Sequence, residues 1–348
     1  MARKAFIHIG LAKTGTTSIQ RQLASRRGWL ESQGSYYPKT GVTKGFSGHH
    51  CLAWNIANSP KQNEFCAGFT TDDFKRDIEK RKDHDIVVSS EELSLLSFNY
   101  VKVRKLLGLF SGRDIFVIAY VREQAEFFNS FYLELISDFE DPGPFDKFIE
   151  QRLEEARYDY HHWFAIWHDL VGANLVIRPY DRKSMKGSDV VEDFGKVIGL
   201  KGSRTDLKKP ARENQSLNNL QTAVMAELIR RARDKSRGHP LPIPIRRALK
   251  NITAPIMALP ELAAGQRFWG IEPELLDRIR EKYAAPNANF FETHGLPGFV
   301  FESFSKAPAV NLCKFENIDR SFRDRVDAMW SAKAPSILAR LEKVVSHG

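Results

Sequence analysis

Lys13-Thr14-Gly15-Thr16-Thr17-Ser18 places one cation, one glycine and four hydroxyls within six residues. This is the composition of an oxyanion site. A short apolar run, Ala5 to Ile9, with the length and β-branching of a buried strand, leads into Gly10 and then this segment. A helix-like stretch follows it. A glycine-bearing turn between a strand and a helix aims backbone N–H groups at one spot, and the helix N-terminus adds partial positive charge there. Such a turn holds a phosphate or a sulfate. A second anion-binding pair follows the apolar run Asp114–Tyr120: Arg122 at its carboxyl end, then Ser130 eight residues on. A guanidinium offers a fork of charged hydrogen bonds to a dianion, and a hydroxyl adds one more donor. Alone, the pair reads better as an arginine closing a sheet and a serine inside an amphipathic helix. Beside the first turn, it offers a second phosphate-type site at the end of a different strand.

These groups require strands and helices in alternation. Strand-like runs occur at Ala5–Ile9, Asp85–Ser89, Asp114–Tyr120 and Asn174–Arg178, each nearly continuous in apolar residues, as parallel strands buried on both faces are. Amphipathic stretches lie near Thr17–Arg26, Thr71–Lys82, Tyr100–Phe110, Glu123–Ile136 and Phe145–Val171. The alternation predicts an α/β fold, a doubly wound parallel sheet with ligands at the carboxyl ends of its strands. The texture changes near residue 200. Ser203 to Asn214 is polar and basic, and Leu217 to Lys235 is helix-like. Gly238 to Ile245 carries three prolines and is expected to be neither regular helix nor central strand, with Pro255 and Pro260 continuing the interruption. Glu272 to Tyr283 and Arg320 to Val345 are again helix-like. Residues 1–200 are expected to form the core, and 201–348 a helical extension that includes a lid or acceptor-side segment.

The turn keeps the glycine spacing of a nucleotide P-loop, GxxxxGK[ST], at Gly10 and Gly15, but threonine stands at 16 and the lysine is at 13. The Lys-Thr-Gly-Thr-Thr arrangement resembles the 5′-phosphosulfate loop of sulfotransferases that use 3′-phosphoadenosine-5′-phosphosulfate. Arg122 and Ser130 match the arginine and serine with which that family binds the 3′-phosphate. Val176 to Arg182, Asp193-Phe194, Gly199-Leu200 and Asn214 to Leu217 resemble segments of its bacterial members. The likeness covers roughly residues 5–230 and extends to Arg278–Asn289, and Ser18 departs from the tryptophan that cytosolic small-molecule enzymes place after Thr-Thr. The carbohydrate-type form Thr-Thr-Ser-Ile-Gln fits better, and adenine stacking then falls to another residue. The resemblance implies a transferase moving a sulfuryl group to a hydroxyl or amine of an acceptor, a carbohydrate or glycoconjugate, without a metal. It implies Lys13 at the leaving oxygen, with Thr14, Gly15, Thr16, Thr17 and Ser18 around the phosphosulfate.

A general base is also needed. Glu91 and Glu92, after the run Asp85–Ser89, compete with His49 and His50, which follow Ser47-Gly48. The glutamates stand where relatives carry the base. They also read as favourable charges in a first helical turn capped by Ser90. Histidine is better tuned to neutral pH, but in a loop it reads equally as an exposed residue or a cap.

The 348 residues, 42% hydrophobic and 27% charged, have the composition of a globular protein, and the net charge of +9 suits anionic partners without choosing among them: a doubly phosphorylated cofactor, an acidic glycan, a membrane surface or nucleic acid. No apolar run approaches the roughly 20 residues that span a bilayer. Met1 to Ile9 imitates the start of a signal peptide, but it is short and Lys13 interrupts it, so a cytoplasmic location is expected. Three scattered cysteines, Cys51, Cys66 and Cys313, read as reduced thiols. His161, His162 and His168 lie among Tyr158, Tyr160, Trp163, Phe164 and Trp167 at helical spacing, which reads as a buried face and not a metal site. A P-loop kinase is the alternative enzyme, weakened by the misplaced lysine and by the lack of an aspartate at a strand end. A non-enzymatic role in binding anionic lipid or nucleic acid would rest on Arg230, Arg231, Arg233, Lys235, Arg237, Arg246, Arg247 and Lys250. Such charge runs are usually solvated faces, and no nucleic-acid partner is expected.

Overall fold

The computed structural model describes residues 2–181, 183–185, 189–201, 216–236, 238–305 and 308–345. The polar stretch 203–214, the Asn214-Gln215 half of the Asn-Gln-Ser-Leu motif, Arg182 and Arg237 lie outside them. Strands β1 Lys4–His8, β2 Ser35–Tyr36, β3 Asp85–Ser89, β4 Asp114–Val121 and β5 Leu175–Pro179 form one sheet in the order β2-β3-β1-β4-β5. Every pairing is parallel. The chain leaves β1 toward β2 but leaves its neighbour β4 toward β5, on the opposite side, so the connections after these two strands diverge. That divergence makes the crevice in which doubly wound sheets bind ligands. The register sets His8 level with Ser89 and Ile118, so the chain leaves β1 and β3 at one height while β4 runs three residues further, to Val121. Ala5, Ile7, Ile86, Val88, Val117 and Ala119 are fully buried, which accounts for apolar runs with no alternation.

The helices, in chain order, are α1 Thr16–Ser25, α2 Arg27–Ser32, α3 His50–Ala57, α4 Lys61–Phe65, α5 Thr71–Glu79, α6 Tyr100–Gly108, α7 Gln124–Ser137, α8 Phe145–Leu153, α9 Tyr160–Val171, α10 Val190–Val197, α11 Asn219–Lys235, α12 Ile243–Met257, α13 Pro273–Thr293 and α14 Arg320–Val345. A 3₁₀ segment, Glu91–Phe98, joins β3 to α6. Three expectations change. Phe145–Val171 is two helices, because Asp159 caps a fresh start by accepting from the His161 N–H at 2.8 Å. Residues 243–257 are helical despite their prolines. Pro244 falls in the first turn, where its missing N–H costs nothing, and Pro255 enters only near the end. Cys51 and Cys66 are joined by a disulfide across α3 and α4, walled by Trp54, Phe65 and Phe69. Fifteen residues separate the two in sequence, and only the packing of α3 against α4 brings them together. Among the described residues no helix is long and apolar enough to cross a membrane.

Contacts group the chain into two units that interleave in sequence. The first comprises Met1–Glu123, Ala156–Glu213 and Lys282–Ser305 and holds the sheet. On one face of that sheet Ile19 and Leu23 of α1 pack with Val191 and Phe194 of α10 over Phe6 and Ile118. Phe290 of α13 packs on Tyr160 and Phe164 of α9. The second unit comprises Gln124–Glu155, Asn214–Glu281 and Lys306–Gly348 and is helical. Its core includes Tyr132, Phe145, Phe148 and Phe268. Five cations of its basic stretch form ion pairs within the unit: Arg230 meets Glu227 and Asp234, Arg231 meets Asp327, Arg233 meets Asp141, Arg246 meets Glu140 and Lys250 meets Asp138.

Candidate functional site

Beyond its last strand residue β1 stays zipped to β4. Ile9 N–H donates to Ile118 O at 3.0 Å, Leu11 N–H to Tyr120 O at 2.9 Å, and Tyr120 N–H to Gly10 O at 2.7 Å. The chain then coils through left-handed conformations at Lys13 (φ 63°) and Gly15 (φ 80°). Thr14 Oγ1 closes the turn by donating to Leu11 O at 2.6 Å. Gly15 is the N-cap of α1 and brings no side chain, and the first turn holds no acidic residue. The N–H groups of Gly15, Thr16 and Thr17 have no hydrogen-bond partner among the described residues. Converging, uncapped amides of this kind are suited to an anion. Glycine is required at 15 for two reasons. A Cβ there would lie 2.7 Å from Val190 Cγ1 and 3.2 Å from Tyr180 Cε2, at a φ that side chains resist.

Arg122 leaves the end of β4 and reaches this turn: its Nη1 donates to Lys13 O at 3.4 Å, and its guanidinium stands 5.7 Å from the centre of the Tyr180 ring. The Tyr160 hydroxyl bonds the Arg122 backbone from α9. The first unit thus brings together Lys13, Gly15, Arg122 and Tyr180. Ser130 is buried on α7, in the second unit.

On the other flank β3 delivers Glu91. A Cβ at Gly10 would lie 3.1 Å from Glu91 Cα, so the loop and the end of β3 touch backbone to backbone. Gln20, nearly buried on α1, donates from Nε2 to Glu91 Oε2 at 2.6 Å. Glu91 Oε1 has no hydrogen-bond partner among the described residues. Gln20 also fills the space above Gly48, where a Cβ would fall 2.7 Å from its Cδ. Glu92 turns away, to Lys61 Nζ at 3.3 Å.

The two histidines separate. His49 is fully buried, its Nδ1 accepting from Ser89 N–H at 3.2 Å and its Nε2 paired with Pro38 O at 3.1 Å. These bonds define the tautomer: with Nδ1 as acceptor, Nε2 carries the hydrogen. Burial holds its pKa down to about 3, and no lone pair remains for a substrate proton. His50 bonds Ser90 Oγ through Nδ1 at 2.8 Å and lies between Phe46 and Trp54. Ser90 therefore serves His50 and makes no side-chain cap for the 3₁₀ segment. His8, at the end of β1, is also fully buried, bonded to Ser89 Oγ at 2.7 Å, with its pKa lowered to about 3 by desolvation.

Sequence reasoning missed three parts. Gln20 looked like an ordinary helix residue, and its partner is 71 positions away. Tyr180 carried no signal beyond lying in Val176–Arg182. Arg178 pairs with Asp193 through two bonds, at 3.0 and 2.6 Å, while the Tyr120 hydroxyl donates to the same carboxylate at 2.7 Å. This buried cluster ties β4 and β5 to α10 and so fixes Val190 against Gly15. A cationic partner and several hydrogen bonds offset the desolvation of Asp193. Among the described residues no group of three or more histidine, cysteine or acidic side chains is placed to hold a metal.

No protein-family model matches the chain. An uncharacterized protein of Archaeoglobus fulgidus is 28% identical over 150 residues, a stretch covering 41% of this chain and 38% of that protein's length. Among solved structures, a sulfotransferase from Alicyclobacillus acidocaldarius superposes with a TM-score of 0.47 and 13% identity, covering 88% of this chain and all of that one.

Proposed function

We propose that the chain is a sulfotransferase that takes the sulfuryl group from 3′-phosphoadenosine-5′-phosphosulfate and passes it to a hydroxyl or amine of an acceptor, a carbohydrate or glycoconjugate. The observation that carries this reading is the placement of a carboxylate with one unbonded oxygen against an uncapped anion turn: Glu91 touches Gly10 and is aimed by Gln20. A turn that only binds a nucleotide has no use for a base at its edge. In this reading the amides of Gly15 to Thr17 and the Lys13 ammonium hold the phosphosulfate. Glu91 Oε1 takes the acceptor's proton as the new oxygen–sulfur bond forms and the bond to the 5′-phosphate oxygen breaks. The charge left on that oxygen falls to Lys13 and the helix N-terminus. Arg122, beside Lys13, is suited to the 3′-phosphate. Ser130 is tied to the same role by its spacing from Arg122 alone.

Calorimetry with the desulfated product, 3′-phosphoadenosine-5′-phosphate, in the presence of a chelator tests the reading. Binding much tighter than that of AMP is expected. Equal affinity for the two would remove the 3′-phosphate site, and a requirement for magnesium would favour a kinase.

A further inference from the structure

We infer that the segment from Leu95 to Lys105 is a membrane-docking face that meets an anionic lipid surface. Among the described residues, large hydrophobic side chains that are strongly exposed are few, and four of them fall within seven positions: Leu95 (60% exposed), Phe98 (42%), Tyr100 (47%) and Val101 (75%). Scattered singly they would need no explanation. Contiguous, they mark an interaction surface.

Their arrangement specifies the partner. Leu95 and Phe98 are three apart on the 3₁₀ segment, where side chains at that spacing eclipse, so both stand on one edge. Phe98 is braced by stacking on His162, ring centres 5.6 Å apart, which keeps it from folding inward. Tyr100 and Val101 open α6, forming an apolar tip. Arg104 and Lys105 follow one turn further along the helix, both exposed and without an ion pair among the described residues. The Arg104 guanidinium lies 5.8 Å from the Tyr100 ring centre. An apolar tip with a cationic collar one turn behind it matches the depth profile of a lipid interface, acyl chains first and phosphates above. No acidic residue occurs from Leu93 to Arg113. Lys102 does not join the collar, because its Nζ donates to Ala57 O at 2.9 Å and caps α3. Instead it anchors the tip rigidly to the sheet unit.

A second copy of the chain is the less favoured occupant. Apposing two such faces would bring two uncompensated collars together, whereas an anionic surface neutralises them. Docking here does not depend on the reaction proposed above. If both hold, the same 3₁₀ segment carries Glu91 at one end and the lipid contact at the other, and the acceptor is one presented at a membrane surface.

Sedimentation of the full chain with vesicles tests this, using phosphatidylcholine alone and phosphatidylcholine mixed with phosphatidylglycerol. Partition into the anionic vesicles, falling with salt, is expected. Arg104→Gln with Lys105→Gln should weaken it by roughly 20- to 30-fold. Leu95→Ser with Val101→Ser, both at exposed positions, should weaken it by about 10-fold or more. No anionic preference, or variants that partition like the parent, would overturn the inference. So would a dimer in lipid-free ultracentrifugation that Val101→Asp dissociates while lipid partition is unchanged, which would make the second copy the occupant.

Discussion

Glu91→Gln separates chemistry from architecture. The amide has the size of the carboxylate and keeps one oxygen able to accept from Gln20 Nε2, now 2.6 Å from Oε2. Exchanging a charge-assisted bond for a neutral one costs about 1 kcal/mol of stability. Turnover should fall by roughly 100- to 10,000-fold, the usual contribution of a general base, while the affinity for 3′-phosphoadenosine-5′-phosphate stays within about twofold. His49→Asn should do the reverse. Asparagine cannot span from Ser89 N–H to Pro38 O, so a buried polar group loses its partner and a small void opens, at about 2 to 4 kcal/mol together. The melting temperature should drop, with turnover per folded molecule unchanged. The assay is the initial rate of nucleotide product release with the best acceptor from a screen, beside thermal melts of each variant. Normal turnover in Glu91→Gln, with a large loss in His50→Asn, would refute the assignment.

Lys13→Ala should lower turnover by about 100-fold or more with little change in the melting temperature, since a preorganised charge at the leaving oxygen is lost from a surface loop; near-normal rates would remove its role. Gly15→Ala should destabilise by about 2 to 4 kcal/mol, from the left-handed φ and the 2.7 Å approach to Val190. Adding Val190→Ala should recover the steric part alone, and a denaturant melt showing no recovery would contradict the packing. His8 and His49 titrate near 3 when folded and near 6.5 when unfolded, so between those values the unfolded chain binds the extra protons. Stability should be intact above pH 6.5 and fall as pH drops, by about 4 kcal/mol for the pair at pH 5. Flat chemical-denaturation stability from pH 7 to 5 would mean that both rings are protonated in the fold, and a fall of about half that size would mean that one is.

Much of the sheet is legible in the sequence because a parallel strand buried on both faces writes itself as a short apolar run. The runs at residues 5–9, 85–89, 114–120 and 174–178 match β1, β3, β4 and β5 to within a residue or so. Only β2, two residues long and at the sheet edge, leaves no such trace. The turn between β1 and α1 is legible for a similar reason: its glycines, hydroxyls and lysine are adjacent in the chain, and local backbone geometry alone shapes it. The helix break at Asp159 and the helix through Pro255 were not legible, since capping and packing outweighed propensity there. What only the tertiary structure decided is how neighbouring residues are placed. Glu91 and Glu92 are equivalent in sequence, as are His49 and His50. They part because one glutamate meets Gln20 and the other Lys61, and because one imidazole is locked between two backbone groups. The same holds for the pairing of Cys51 with Cys66 and for Arg178 with Asp193. Adjacent residues share composition and periodicity, so sequence pattern cannot rank them. Contacts made across tens of positions can, because a side chain's chemistry is set by what packs against it.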